Sequence, residues 1–332
     1  MNICKAIFIC MLFFLCINLS AQDVHFSSFM AGDMYLNPAK TAFFSSDFKV
    51  GAAYRNQWQT VSGRGYNTTL ITSEAKLFSS SRYKHSFGLG CGFLKDVAGS
   101  LGFGQRQLLL SMAYNKMLTK RNNHFIAVGI NMQNTSWSYD VEKADFGLSP
   151  SDKEGIYLSK TTAFDIGVGI HWQISLKEDK HISAGFAVAH LNSPVYSFYD
   201  NSNIRLARRY TAYLTYLFTT SQQSFVNFAA RYSYQNDNME ILAGGEFIYD
   251  LSMTMFDNEY IAAGLYFRTF DALVLSLRYQ HSAFNIGLSY DVNLSSLSKV
   301  SHTYGALELW TSYEIDTFKH KKQIKTIPCP TF

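Results

Sequence analysis

Phe164-Asp165-Ile166-Gly167-Val168-Gly169-Ile170-His171-Trp172-Gln173 decides the fold class. Every second residue is apolar, and the residues between are polar or small. Side chains of a strand point alternately to its two faces, so this segment has one apolar and one hydrophilic face. The same period recurs along the chain. Leu273, Leu275, Leu277 and Tyr279 alternate with Ser276, Arg278 and Gln280. Phe284, Ile286, Leu288, Tyr290 and Val292 alternate with Asn285, Gly287, Ser289 and Asp291. Ile241, Ala243, Phe247 and Tyr249 alternate with Gly244, Glu246 and Asp250, and Phe87, Leu89, Cys91 and Phe93 with Ser86, Gly88, Gly90 and Gly92.

Two environments give a strand such faces: the core of a soluble sandwich and the lipid around a membrane barrel. A sandwich turns its polar face to bulk water and carries many Lys and Glu there. Here the non-apolar face is mostly Gly, Ser, Thr, Asn and Gln with scattered charges, which suits a confined, wet lumen. Tyr54, Trp58, Trp172, Tyr249, Tyr279, Tyr290 and Tyr313 fall near strand ends, where barrels carry aromatic girdles. The alternation predicts strands at 47–57, 67–77, 85–96, 104–117, 124–134, 161–174, 180–190, 206–219, 224–234, 238–250, 258–269, 272–281, 283–294 and 303–315. An even count suits a bacterial single-chain barrel. Connections after odd-numbered strands include the long 58–66, 135–160 and 191–205, whereas those after even-numbered strands run to about seven residues or fewer. Long loops on one side and short turns on the other are the outer-membrane asymmetry, and they lead to the expectation that both mature termini are periplasmic. The expected fold is all-β: a transmembrane, antiparallel, up-and-down β-barrel of about 14 strands, of outer-membrane type.

Composition agrees. The 332 residues are 47% apolar and 16% aromatic but only 16% charged, against about 25% charged in an ordinary soluble domain. Disorder needs the opposite balance. A net charge of +4 is too small for a nucleic-acid footprint. The mean hydropathy of −0.05 is not that of a helical membrane protein, and after residue 21 no apolar run approaches the roughly 20 residues a spanning helix needs. In a barrel every backbone polar group is bonded within the closed sheet. Charge is scarce on the lipid face because it costs about 2–4 kcal/mol at mid-bilayer. Proline, which cannot donate to a ladder, falls outside every predicted strand, at Pro38, Pro150, Pro194, Pro328 and Pro330.

Residues 1–21 read as a secretory signal peptide: Lys5, an apolar run from Ala6 to Leu19, then Leu19-Ser20-Ala21. The alternative is an N-terminal anchor, for which the run is short. Phe13-Phe14-Leu15 before Cys16 lacks the small residues of a lipoprotein site. Cleavage removes Cys4, Cys10 and Cys16 and leaves Cys91 in a strand and Cys329 in a tail, a pair not expected to bond. No Cys/His spacing suggests zinc.

The residues expected to face the lumen include Lys49, Arg55, Glu74, Lys76, Asp165, His171, Glu246, Arg278, Asp291, Glu308 and Glu314. They read as mixed ion pairs rather than a catalytic constellation, since no GxSxG, HExxH or P-loop is present. No enzyme activity, cofactor or metal is expected. The acidic loop 135–160 lacks calcium-site spacing, and the basic tail from Lys319 to Lys325 suits either lipid headgroups, an acidic partner or plain solvation. The chain therefore divides into a leader at 1–21, an N-terminal segment or plug at 22–46 on the periplasmic side, the barrel at 47–315 and a periplasmic tail at 316–332. Phe26, Phe29, Met30, Tyr35 and Leu36 make residues 22–46 too apolar for a free linker, so this segment is expected to dock in or under the barrel.

The two ends carry a resemblance. Gln22-Asp23-Val24-His25-Phe26-Ser27-Ser28-Phe29, Tyr35-Leu36-Asn37-Pro38-Ala39, Tyr54-Arg55-Asn56-Gln57-Trp58 and Ile327-Pro328-Cys329-Pro330-Thr331-Phe332 together resemble the PorP/SprF family of type IX secretion system outer-membrane proteins, known from Bacteroidota. Val24 and Thr331 depart from the family's usual Pro and Arg. The resemblance implies secretion or surface anchoring of large adhesin-like cargo, gliding motility in gliding bacteria, and partners among the type IX secretion machinery, the cargo and outer-membrane lipid, but no nucleic acid. It implies no catalytic residue. The matching positions Gln22, Asp23, His25, Phe26, Tyr35, Asn37, Pro38, Tyr54, Arg55, Asn56, Gln57, Trp58, Pro328, Cys329, Pro330 and Phe332 are candidates for partner contact or for fixing a plug. Two other readings stand beside it. A transporter for small or hydrophobic solutes would show a continuous lumen, and an outer-membrane enzyme would show a Ser–His pair at a barrel rim.

Overall fold

The computed structural model describes residues 23–58, 65–80, 85–99, 102–119, 124–139, 160–177, 180–198, 204–252, 258–269, 271–295, 298–301 and 303–317. Fourteen strands, each paired antiparallel with its sequence neighbours, close into a barrel. They are β1 Phe48–Gln57, β2 Tyr66–Ser80, β3 His85–Ala98, β4 Phe103–Met117, β5 Phe125–Ser138, β6 Lys160–Lys177 and β7 Lys180–Ala189. β8 Arg209–Ser221, β9 Ser224–Gln235, β10 Asn238–Asp250, β11 Glu259–Arg268, β12 Ala272–His281, β13 Phe284–Asn293 and β14 Tyr304–Ile315 complete the wall. β1 meets β14 in unbroken register from Phe48↔Ile315 to Gln57↔Ala306, which leaves no open sheet edge.

Alternation sorts the side chains as the sequence predicts. In β4, Gln107, Leu109, Ser111, Ala113 and Asn115 are buried, while Leu108 and Leu110 are 62% and 61% exposed on the outside. The outer face elsewhere shows Ile71, Phe93, Phe164, Ile170, Phe228, Phe247, Leu265 and Leu277. No helix among the described residues is long and apolar enough to cross a membrane; this apolar belt takes that role.

Strand ends depart modestly from the periodicity. β2 and β6 run past the predicted 77 and 174 to Ser80 and Lys177, and β8 starts at Arg209 rather than 206. Backbone pairing continues beyond the apolar band because a ladder bonds main chain whatever the side chains are. The 251–258 connection after β10 is one residue longer than the even-numbered turns were expected to be. The 139–159 and 190–208 connections lie at one mouth, here the long-loop mouth.

The lumen is less polar than expected. Leu70, Leu94, Leu242, Val274 and Trp310 point inward and are buried. Phe26 packs against Leu70, Leu94 and Trp310, and Phe29 against Leu242, Tyr266 and Val274. These apolar lumen residues break the simple polar-in pattern because residues 23–46 supply an apolar surface of their own to cover.

Candidate functional site

The site is the contact between residues 23–46 and the inner wall. At the short-turn mouth Asp47 N–H donates to the Ile315 carbonyl. Ser46 Oγ donates to Glu314 Oε2 at 2.5 Å, and Ala42 N–H to Glu74 Oε2 at 2.9 Å. A one-turn helix, Asp33–Leu36, precedes a 3₁₀ turn, Pro38–Lys40. Asp33 binds the Lys40 ammonium and lies 3.0 Å from Lys49 Nζ, so its buried carboxylate is neutralised within the segment and by β1.

Asn37 fixes the turn at both ends. Its Oδ1 accepts from Ala39 N–H at 2.9 Å, as an N-cap does. Its Nδ2 donates to the Ile170 carbonyl of β6 at 3.0 Å. Pro38 at the first turn position sets the backbone angle without wasting a donor. The turn lies so close to the wall that a Cβ on Gly129 would sit 2.3 Å from the Pro38 carbonyl carbon, and one on Gly169 2.0 Å from Asn37 Oδ1. Below the turn, Tyr213 OH and His171 Nδ1 share a hydrogen bond of 2.8 Å.

Further along, Ser27 sits among four charges. Ser27 N–H and Ser28 N–H donate to the two oxygens of Glu308 at 2.8 and 2.9 Å. Ser27 Oγ donates to Asp291 Oδ2 at 2.9 Å and accepts from the guanidiniums of Arg55 and Arg268. Arg55 also pairs with Asp291 at 2.9 Å and Glu308 at 3.2 Å, and Arg268 with Asp291 at 2.9 Å. Two cations and two anions balance, the condition on which buried charge is tolerated. Arg231 Nη2 donates to the Phe26 carbonyl at 2.8 Å, and His25 Nε2 lies 3.5 Å from Glu240.

Asp23 ends the described segment at the long-loop ends of β7, β8 and β9. Its carboxylate binds His190, which also binds Asp165, and lies 3.4 Å from Arg209 Nη1. Its N–H donates to Gln235 Oε1 at 3.0 Å. Burial alone would lower the His190 pKa, but Asp23 and Asp165 outweigh it and push it up to about 9.

The structure brings Asp23, His25, Phe26, Tyr35, Asn37, Pro38 and Arg55 into this contact. The Tyr54–Trp58 motif is split by the strand period. Arg55 points inward, whereas Tyr54 is 45% exposed on the outer face and donates to Asn67 Oδ1, as does Asn56. Gln57 is half-buried, and Trp58 stacks edge-on against Tyr66 at the end of β1. Gln22, Pro328, Cys329, Pro330 and Phe332 lie outside the described residues, and Cys91 is a free, exposed thiol. Sequence reading missed Ser27 as a hub, together with Arg231, Glu240, Arg268 and His190. The available signal was a charge in the inward phase of an otherwise apolar strand, as at Arg268 beside Phe267.

The mature termini themselves lie outside the described residues; the ends of the described chain lie at opposite mouths. Thr317 hydrogen-bonds Asp47 at the short-turn mouth, whereas Asp23 lies at the opposite ends of the strands. The reason is that residues 23–46 run the length of the lumen instead of covering one mouth. Small cavities of about 40, 30 and 20 Å³ remain beside them among the described residues, each with room for water. Among the described residues no three His, Cys, Asp or Glu side chains converge to hold a metal ion.

A closed barrel of fourteen strands with an outward apolar belt is a membrane β-barrel of the outer-membrane type. Residues 18–313 match the family model described as "Type IX secretion system membrane protein PorP/SprF", and the chain belongs to that family. A search of curated proteins finds no match. Among solved structures the chain is similar to the CymD monoaromatic hydrocarbon channel, at 12% identity over 88% of this chain and 95% of that one, TM-score 0.50. It is similar to a deltaS2S3 mutant of the TodX monoaromatic hydrocarbon channel, at 11% identity over 85% and 94%, TM-score 0.52. The Ralstonia pickettii toluene transporter TbuX gives 13% identity over 86% and 93%, TM-score 0.49. For the two monoaromatic hydrocarbon channels, at such identities, the likeness is one of fold.

Proposed function

We propose that this protein is a non-enzymatic outer-membrane partner of the type IX secretion machinery that supports secretion or surface anchoring of large adhesin-like cargo, and gliding where the cell glides. The family membership supports the machinery, and one structural observation supports the mode of action: the lumen is occupied along its length by the chain's own residues 23–46. A barrel filled in this way works through its two mouths. In this reading the short-turn mouth and residues 316–332 face the periplasm and the machinery, and the long connections 139–159 and 190–208 face the cargo. Outer-membrane lipid surrounds the belt, and the N-terminal residues act as a plug.

Deleting the gene and comparing surface-exposed and medium proteins tests this directly. Loss of one or a few large proteins from the surface, restored by the intact gene, is the expected result; an unchanged surface proteome defeats the proposal. The rival reading, a channel for small or hydrophobic solutes, requires a continuous path past residues 23–46, and the small size of the cavities beside them among the described residues favours the first reading.

A further inference from the structure

The outer face of β2–β5 carries a hollow that the lumen contacts do not use. Leu77, Phe87, Tyr114 and Val128 form one cross-strand row, and Ala75, Leu89, Met112 and Ile130 the next. Between these rows lies a shallow, open apolar groove of about 660 Å³. Its overhang comes from a bulge in β2. The register slips between Leu77 and Ser80, so that Phe78, at φ 50°, follows Leu77 onto the outer face and stands 82% exposed. Bulges re-aim side chains in this way.

The next row toward the short-turn mouth changes character. His85 pairs with Lys116, and Lys116 with Ile126. Two residues along a strand cover about 7 Å, so an exposed ammonium stands just beyond the apolar groove. Apolar length followed by a cation is the order in which a phospholipid presents its acyl chain and its phosphate.

We propose that this groove binds one phospholipid, an acyl chain lying under Phe78 against Leu89, Met112 and Val128 and the headgroup phosphate paired with Lys116. The ligand is set apart from the annular lipid by the projecting Phe78 and by the charge at its end.

Native mass spectrometry of the full chain in mild detergent tests this, with dioleoylphosphatidylglycerol as the probe and dioleoylglycerol as a probe without phosphate. The wild type is expected to keep one dioleoylphosphatidylglycerol at activation energies that strip the rest. Lys116→Glu should lower that retention at least fivefold, and Lys116→Gln should lower it less. Val128→Trp, which fills the groove, should abolish retention of both probes, whereas dioleoylglycerol should bind Lys116→Glu as it binds wild type. Leu265→Trp, on the lipid face of β11, should change nothing. Equal retention in all variants overturns the proposal. So does retention of a second copy of the chain or another protein, in place of lipid, that the same groove substitutions remove.

Discussion

His190 holds the end of the N-terminal segment between two carboxylates, Asp23 and Asp165. Its pKa of about 9 lies above the unfolded histidine value of 6.5, so the imidazolium stabilises the closed segment fully below about pH 6.5. That contribution is lost as pH rises through about 9. A spin label at Val24→Cys, in a chain with every native cysteine replaced by Ser, should therefore gain mobility between pH 8 and 10. With His190→Gln the label should already be mobile at neutral pH and show little further change. A label equally immobile in both chains across that range would separate His190 from the clamp. Little of this was readable beforehand. The motif containing Asp23 stood out, but its partner His190 follows it by 167 positions, and no local pattern marks a histidine that closes such a distance. Arg55 was the exception, since a charge in the inward phase of β1 announces a lumen role by its position alone.

At the scale of elements, the outward phase of each strand was legible and the inward phase only half so. The outward residues answer to lipid, a uniform solvent, and so they repeat. The inward ones answer to whichever part of residues 23–46 lies opposite. Gly167 and Gly169 in β6 were read as small residues on a wet face. In fact Gly169, with Gly129 of β5, leaves room for the turn at Asn37 and Pro38. Gly129→Leu should push that turn off the wall. Overpacking typically costs about 1–3 kcal/mol, and here the strained element has few alternatives within a closed wall. Limited proteolysis of folded protein in detergent should cut within residues 23–46 far faster in Gly129→Leu than in wild type, while the strands stay protected. Leu at Gly99, where nothing lies within 4 Å of the added Cβ, makes the control for substitution as such, although its φ of 62° adds local strain.

At the scale of the molecule, fourteen strands and their alternating loop lengths followed from the sequence, whereas the path of the N-terminal segment did not. A chain of apolar and polar residues before β1 is equally compatible with a cover and with a thread, and only the wall contacts separate the two. The thread makes a prediction about permeation. Wild type in planar bilayers should show negligible ion conductance, and deletion of residues 23–46 should open a pore carrying stable single-channel currents. Comparable currents in both would mean that the segment does not close the lumen.

The contacts of Ser27 have a consequence for the order of assembly. Its partners Arg268, Asp291 and Glu308 stand on β11, β13 and β14, the last of them 281 positions away. The first part of the chain to arrive is thus fastened by the last. Until the final strands are in place, Ser27 has no seat and the charges around it no counterweights, so a chain truncated near its C-terminus would leave its N-terminal residues loose. A locked N-terminus is in this sense a signature of completed synthesis, legible to any periplasmic protease that samples the barrel as it forms.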